Sequence, residues 1–182
     1  VQSVVWEIML ACCFSCKYCG SKGGKARENE LTTEEGLQVV RQLKELGCQR
    51  VSLIGGEVFM RQDWAEIIRS MKKNDIQVAI ITNGYLFTEN LIKQLKELQI
   101  ESIAVSLDGP EQIHDSYRQR GSFARADQAI SVLTENGIPV SVISTLQSLN
   151  VQHLETFYEY LKTKGIRAWQ MQACSPMGNA RS

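Results

Sequence analysis

The chain has 182 residues, of which 43% are hydrophobic and 22% charged, and its 20 basic side chains balance 20 acidic ones. That is the make-up of one soluble globular domain with a sizeable core, and zero net charge gives no support to nucleic acid or an anionic membrane as an obligate partner. No apolar run approaches the ~20 residues of a membrane span, no basic-plus-apolar leader opens the sequence, and six cysteines in that context predict a reducing, cytoplasmic setting.

Val4, Val5, Trp6, Ile8, Met9 and Leu10 predict a first strand over 4–10, and Cys12, Cys16 and Cys19 follow it at once. A loop rich in glycine and charge covers 20–30. Leu37, Val40, Leu43 and Leu46 at helical spacing predict a helix over 33–46, started near Thr32 or Thr33 with Glu35 and stopped at Gly47. A strand over 50–54 runs into Gly55-Gly56-Glu57, and a helix is predicted over 63–73. The next strand, 76–82, ends on Thr82-Asn83-Gly84, and a helix over 88–97 carries Leu91 and Leu95. A strand over 101–107 leads through Ser106 to Asp108-Gly109, and a long loop separates it from a helix over 122–135. A strand over 139–145, a helix over 150–163 and a strand over 166–172 complete the series. Strands alternating with helices of this length imply a parallel sheet with right-handed crossovers. The expected fold is a partial (β/α)6 barrel in one domain, 1–182, lacking a helix over its last strand. From the closing loop, 176–182, a longer protein with further C-terminal sequence is expected.

The cysteines carry the chemistry. At C-x3-C-x2-C spacing, Cys12, Cys16 and Cys19 form a tripod able to hold three irons of a 4Fe–4S cube and leave the fourth without a protein ligand. A cluster that only carries electrons has four protein ligands, whereas an open iron can bind and transform something. Cys13 opens a second register, since Cys13, Cys16 and Cys19 read C-x2-C-x2-C, although no Cys-Pro pair continues the ferredoxin pattern. A structural zinc site wants four ligands, normally in two pairs, and only Cys48, Cys174 and two unpatterned histidines remain. Cys48 reads as a small buried side chain and Cys174 as core packing near the rim. The rival class is therefore an iron–sulfur electron carrier or metal-binding module without further chemistry.

In parallel α/β architectures ligands gather at the carboxyl ends of strands. The cysteine loop, Gly55-Gly56-Glu57, Asn83, Ser106, Asp108 and Cys174 all fall at such ends. Singly, each reads as a turn residue; their joint placement round one rim gives them weight. His114 reads as a surface or helix-start residue.

This combination resembles the radical S-adenosylmethionine (SAM) superfamily. The resemblance rests on the cysteine spacing, on Tyr18 before the last cysteine and on Gly55-Gly56-Glu57. Trp6-Glu7-Ile8, Ser106-Leu107-Asp108-Gly109 and His114-Asp115-Ser116-Tyr117-Arg118 make it most like the peptide-modifying, SPASM-type branch. Cys13 and Met9 depart from that branch, where Asn and Thr are common. The resemblance implies two cofactors, a 4Fe–4S cluster and SAM, with reductive cleavage of SAM to a 5′-deoxyadenosyl radical that takes hydrogen from a substrate. It implies that Gly55 and Gly56 let a backbone carbonyl reach the SAM ammonium, with Glu57 fixing that edge. Ser106 and Asp108 would meet the ribose, Arg118 the SAM carboxylate and Tyr18 the adenine. The implied partners are an external electron donor of flavodoxin or ferredoxin type and a peptide or small-molecule substrate. The catalytic residue acting on that substrate is not named by the resemblance.

Overall fold

Six short runs rich in β-branched residues pair side by side in sequence order, every neighbour parallel. They are β1 (Ser3–Glu7), β2 (Arg50–Ile54), β3 (Gln77–Thr82), β4 (Ser102–Ser106), β5 (Val140–Leu146) and β6 (Ala168–Ala173). The helices are α1 (Thr33–Glu45), α2 (Trp64–Lys73), α3 (Glu89–Glu97), α4 (Glu111–Tyr117), α5 (Ser122–Glu135) and α6 (Leu154–Lys162). The computed structural model describes residues 1–181; Ser182, at the end of the expected closing loop, lies outside the described residues. Because each strand returns to the position beside its predecessor, with the usual right-handed crossover, the sheet curls steadily in one sense into half a barrel.

Local chemistry explains the boundaries. Thr32 and Glu35 form a capping box at the start of α1, each side chain accepting from the other's backbone N–H. Thr88 caps α3 by accepting from the Leu91 N–H at 3.2 Å. Two details differ from expectation. β1 ends at Glu7 rather than at 10, because the chain turns there into the cysteine loop, keeping only single ladder bonds such as Ile8 N–H to Ile54 O at 3.0 Å. The segment after β4 is not all loop but holds α4, seven residues started by Pro110 and Glu111, too short to show helical periodicity.

The core lies between the convex face of the sheet and the helices. Val51, Leu53, Val78, Ile80, Ile103, Val105, Val140 and Val142 alternate along the strands and are sealed from solvent. Ile67, Ile68 and Met71 of α2, Leu95 of α3 and Ile130 and Leu133 of α5 close over them. β6 is covered only in part, where Trp169 packs against Phe157 and Tyr158 of α6. A 310 turn at Gly178–Arg181 follows it, and the outward Met171 is 50% exposed. Among the described residues no helix is long and apolar enough to cross a membrane.

Candidate cofactor site at the carboxyl rim

The cysteine loop is built onto the end of β2. Gly56 N–H donates to Met9 O at 2.9 Å and Glu57 N–H to Ala11 O at 2.8 Å. A Cβ on Gly56 would overlap the carbonyl oxygens of Leu10 and Ala11, and one on Gly55 that of Met9. The two glycines therefore let the backbone before the cysteines lie directly on the sheet. The loop then closes on itself through Cys12 N–H to Gly24 O at 3.0 Å and Gly24 N–H to Leu10 O at 3.1 Å. Two residues not singled out from the sequence brace its entry. The buried Arg61 donates to Ile8 O and Leu31 O, both at 2.9 Å, and Glu30 accepts from Leu10 N–H at 2.6 Å.

The four thiols of the loop are half-buried and unbridged. Cys12 Sγ accepts from the Phe14 N–H at 3.4 Å and Cys19 Sγ from the Gly23 N–H at 3.2 Å, the kind of bond that supports a thiolate. Cys12 and Cys13 are hydrogen-bonded to each other, which pushes the Cys12 thiol well up and brings Cys13 down to about 7. Burial, with Cys12 and Cys19 nearby, raises Cys16 to about 11. Metal-free, Cys12 and Cys16 are thus thiols, and binding a metal displaces their protons. Among the described residues no three Cys, His, Asp or Glu side chains converge on a single ion. The donor set, with sulfurs spread round one loop and backed by N–H groups, fits a multi-iron cube.

Glu57 does not face open space. It is 1% exposed, and its carboxylate accepts from Thr82 Oγ1 at 2.8 Å, Asn83 N–H at 2.8 Å and Phe59 N–H at 3.3 Å. Burial nevertheless lifts it from 4.5 to about 7. It ties the end of β2 to the end of β3 and so sets Asn83. Asn83, read as a turn residue from the sequence, is buried and donates to Cys13 Sγ at 3.3 Å and Cys12 Sγ at 3.8 Å.

Tyr18, Asp108 and Arg118 are brought together as one another's partners. The buried Asp108 accepts from Arg118 Nε at 2.6 Å and Nη2 at 3.3 Å, from the Thr145 N–H at 3.0 Å and from the Tyr18 hydroxyl. Burial alone would raise the Asp108 carboxyl; the guanidinium beside it outweighs that and holds it below the usual range. The Arg118 side chain is 9% exposed and also lies 5.3 Å over the Tyr18 ring. His114, expected at the surface, is fully buried and accepts from the Asp108 N–H at 3.1 Å through Nδ1. Burial lowers it to about 4, so the ring is neutral. Asn150 completes the support, donating to the backbone oxygens of Asp108 and Thr145 at 2.8 Å each.

Ser106 is half-buried at the end of β4, its hydroxyl without a hydrogen-bond partner among the described residues. Beside the cysteine loop lies a cavity of about 910 Å³, lined by Ser15, Lys17, Tyr18, Lys22, Gln147, Cys174 and the 178–181 turn. Its size is that of a small-molecule site, and the Gln147 amide nitrogen at its edge is buried without a partner. Cys174 is half-buried there rather than packed in the core.

The fold and site are those of a parallel α/β half-barrel with a loop of four free thiols and a cavity at its carboxyl rim. The sequence profile of the radical SAM superfamily matches residues 6–161, and the chain belongs to that superfamily. With membership come both expected cofactors, a 4Fe–4S cluster and SAM. The chain is 31% identical to an Fe-coproporphyrin III synthase of Methanosarcina barkeri over 165 residues, covering 90% of this chain and 41% of that protein. It is 30% identical to the mycofactocin maturase MftC of Mycolicibacterium smegmatis over 158 residues, covering 85% of this chain and 40% of the maturase. It thus spans about two fifths of the length of either. SuiB of Streptococcus suis, in structures bound to S-adenosylmethionine and to its precursor peptide SuiA, has the same fold, with TM-scores of 0.85 and 0.86. SuiB is 16% identical; the match covers 96% of this chain and 41% and 40% of the SuiB chains.

Proposed function

We propose that Cys12, Cys16 and Cys19 hold the cluster and that this chain is the core of a radical SAM enzyme acting on a ribosomally made peptide. When bound, the cluster and SAM supply an electron and a 5′-deoxyadenosyl radical that removes hydrogen from the substrate. The chain's own residues bind, orient and exclude water. Gly55 and Gly56 seat the cysteine loop at the end of β2 and offer backbone carbonyls to the SAM ammonium. Glu57 acts through Thr82 and Asn83. Ser106 offers a hydroxyl to the ribose, and the Asp108–Arg118–Tyr18 group forms a fixed polar wall for the ribose, carboxylate and adenine. The observation that carries the reading is the convergence of β2, β3, β4 and the turn after β6 on one cysteine loop. An external donor of flavodoxin or ferredoxin type delivers the electron, in a reducing cytoplasm.

The peptide reading is supported by the maturase relative and by the fold shared with SuiB. A second reading, a small carboxylated substrate, is favoured by the synthase relative. The test uses the intact protein, reconstituted anaerobically with iron and sulfide, given dithionite and SAM, and assayed for 5′-deoxyadenosine. A purely electron-carrying module releases none. Stimulation by the protein's own precursor peptide supports the first substrate reading, and stimulation by a carboxylated iron tetrapyrrole the second.

A further inference from the structure

After β6 the chain does not leave the rim. It runs from Cys174 into the Gly178–Arg181 turn and lies against the cysteine loop. Asn179 makes the contact twice over. Its backbone N–H donates to Cys19 O at 3.0 Å, and its side-chain Nδ2 donates to Cys16 O at 2.9 Å, across 163 residues of sequence. Gly178 seats the turn: its φ is +55°, and a Cβ there would overlap the carbonyl oxygens of Cys19 and Gly20.

We propose that Asn179 is a positioning residue for the cluster, clamping two of its three ligand cysteines; this rests on the reading that Cys16 and Cys19 ligate iron. The stretch from Cys16 to Lys22 is irregular, and its internal bonds are long: Cys19 N–H to Cys16 O at 3.2 Å and Lys22 N–H to Cys19 O at 3.3 Å. Such a loop has many conformations of similar energy, whereas a cube demands fixed sulfur positions. One side chain and one backbone N–H from a single residue set both carbonyls at once, and with them the directions of both Cα–Cβ bonds. The Cys12 side of the loop has its own support in β2 and Asn83; on the other side Lys17, Tyr18 and Ser21 are tied to Tyr117, Asp108 and Glu7, and Asn179 adds the bonds to the carbonyls of the cysteines themselves. Supporting groups of this kind orient metal ligands and tune the metal they hold.

The experiment uses the intact protein and two variants. Asn179→Asp keeps the shape and the backbone bond but turns the donor facing Cys16 O into an acceptor. Gly178→Ala displaces the turn while leaving Asn179 chemically intact. After anaerobic reconstitution, three quantities are read: iron and sulfide per chain, the rate of iron transfer to a chelator, and the EPR spectrum of the reduced cluster with and without SAM. Expected are iron loss roughly five- to tenfold faster than wild type in both variants, as for one hydrogen bond, and an altered EPR line shape. Thermal midpoints of the metal-free proteins should stay at wild type, which separates positioning from folding. Wild-type iron loss and spectrum in both variants overturn the proposal while the site reading stands. Wild-type protein that takes up no iron and sulfide overturns the site reading itself, and this proposal with it.

Discussion

The two faces of the sheet are made of the same strands and obey opposite rules. Along β4, Ile103 and Val105 point to the convex side and are sealed, while Ser102, Ala104 and Ser106 alternate with them and stay half-exposed. β2 repeats this, with Val51 and Leu53 buried and Ser52 and Ile54 half-exposed. A parallel sheet covered by helices on both faces reads as continuous hydrophobic runs. Here only the convex face is so covered, and the concave face mixes small and polar residues such as Ser52, Ala104 and Ser106 with Ile54, Ile81 and Ile143. The convex face supplies stability; on the proposed reading, the concave face and its rim give up burial to hold cofactors.

That division can be broken by mutation, beginning with its most severe form. Alanine at Cys12, Cys16 or Cys19 should reduce reconstituted iron to background, whereas Cys13→Ala should retain the cluster; iron, sulfide and EPR analysis decide it. Loss of the cluster in Cys13→Ala with retention in Cys12→Ala would move the register by one residue.

On the convex face, Ile103→Ala should cost about 2–5 kcal/mol of folding stability, as buried large-to-small changes do. Denaturant titration of the metal-free protein measures it. A cost within the range of surface substitutions would show that this face is not the core of the fold.

Glu57 stands between the two faces and gives a pH test. Burial raises its pKa from 4.5 to about 7, so between those values the folded state keeps a proton that the unfolded state has lost. Its contribution to stability is therefore fully present below about 4.5 and falls by about 3 kcal/mol as pH rises to 7. His114, lowered to about 4, acts in the opposite sense: its neutral buried ring favours folding more as pH rises from 4 to 6.5. The difference between wild type and Glu57→Gln cancels the histidine. That difference should vary with pH between 4.5 and 7 and be flat above; no variation would mean the carboxylate is ionised throughout.

The smallest effect belongs to the concave face alone. Ser106→Ala should leave the thermal midpoint unchanged and weaken SAM binding by about 0.5–1.5 kcal/mol, the worth of one neutral hydrogen bond. Unchanged affinity in calorimetry would remove Ser106 from the cofactor wall.

All six strands, and every helix of nine residues or more, were legible because their periodicity is local. α4 was not, since seven residues give no repeat. Within the site, the cysteine tripod shows in eight consecutive residues, and the rim positions follow from strand ends. The partnerships do not show. Tyr18 and Asp108 are 90 residues apart, so no local pattern reveals that the hydroxyl, the carboxylate and Arg118 satisfy one another. The glycines at 55 and 56 were readable as a close-approach signal, but not that the approaching group is the chain's own Met9–Ala11 backbone. Arg61 and Asn150 carry no sequence signal, and His114, though part of a readable motif, gives no sign of its burial; only packing gives them work.

The central claim is that three thiolates hold a cluster whose remaining iron is open to SAM. It is tested most directly by electron–nuclear double resonance on the reduced, reconstituted protein with SAM labelled by 15N at its amino group. The predicted result is a 15N hyperfine coupling to the cluster, present in wild type and in Cys13→Ala. A reduced 4Fe–4S signal with no such coupling, unchanged by saturating SAM, would contradict the account, because it would mean that the fourth iron is already ligated.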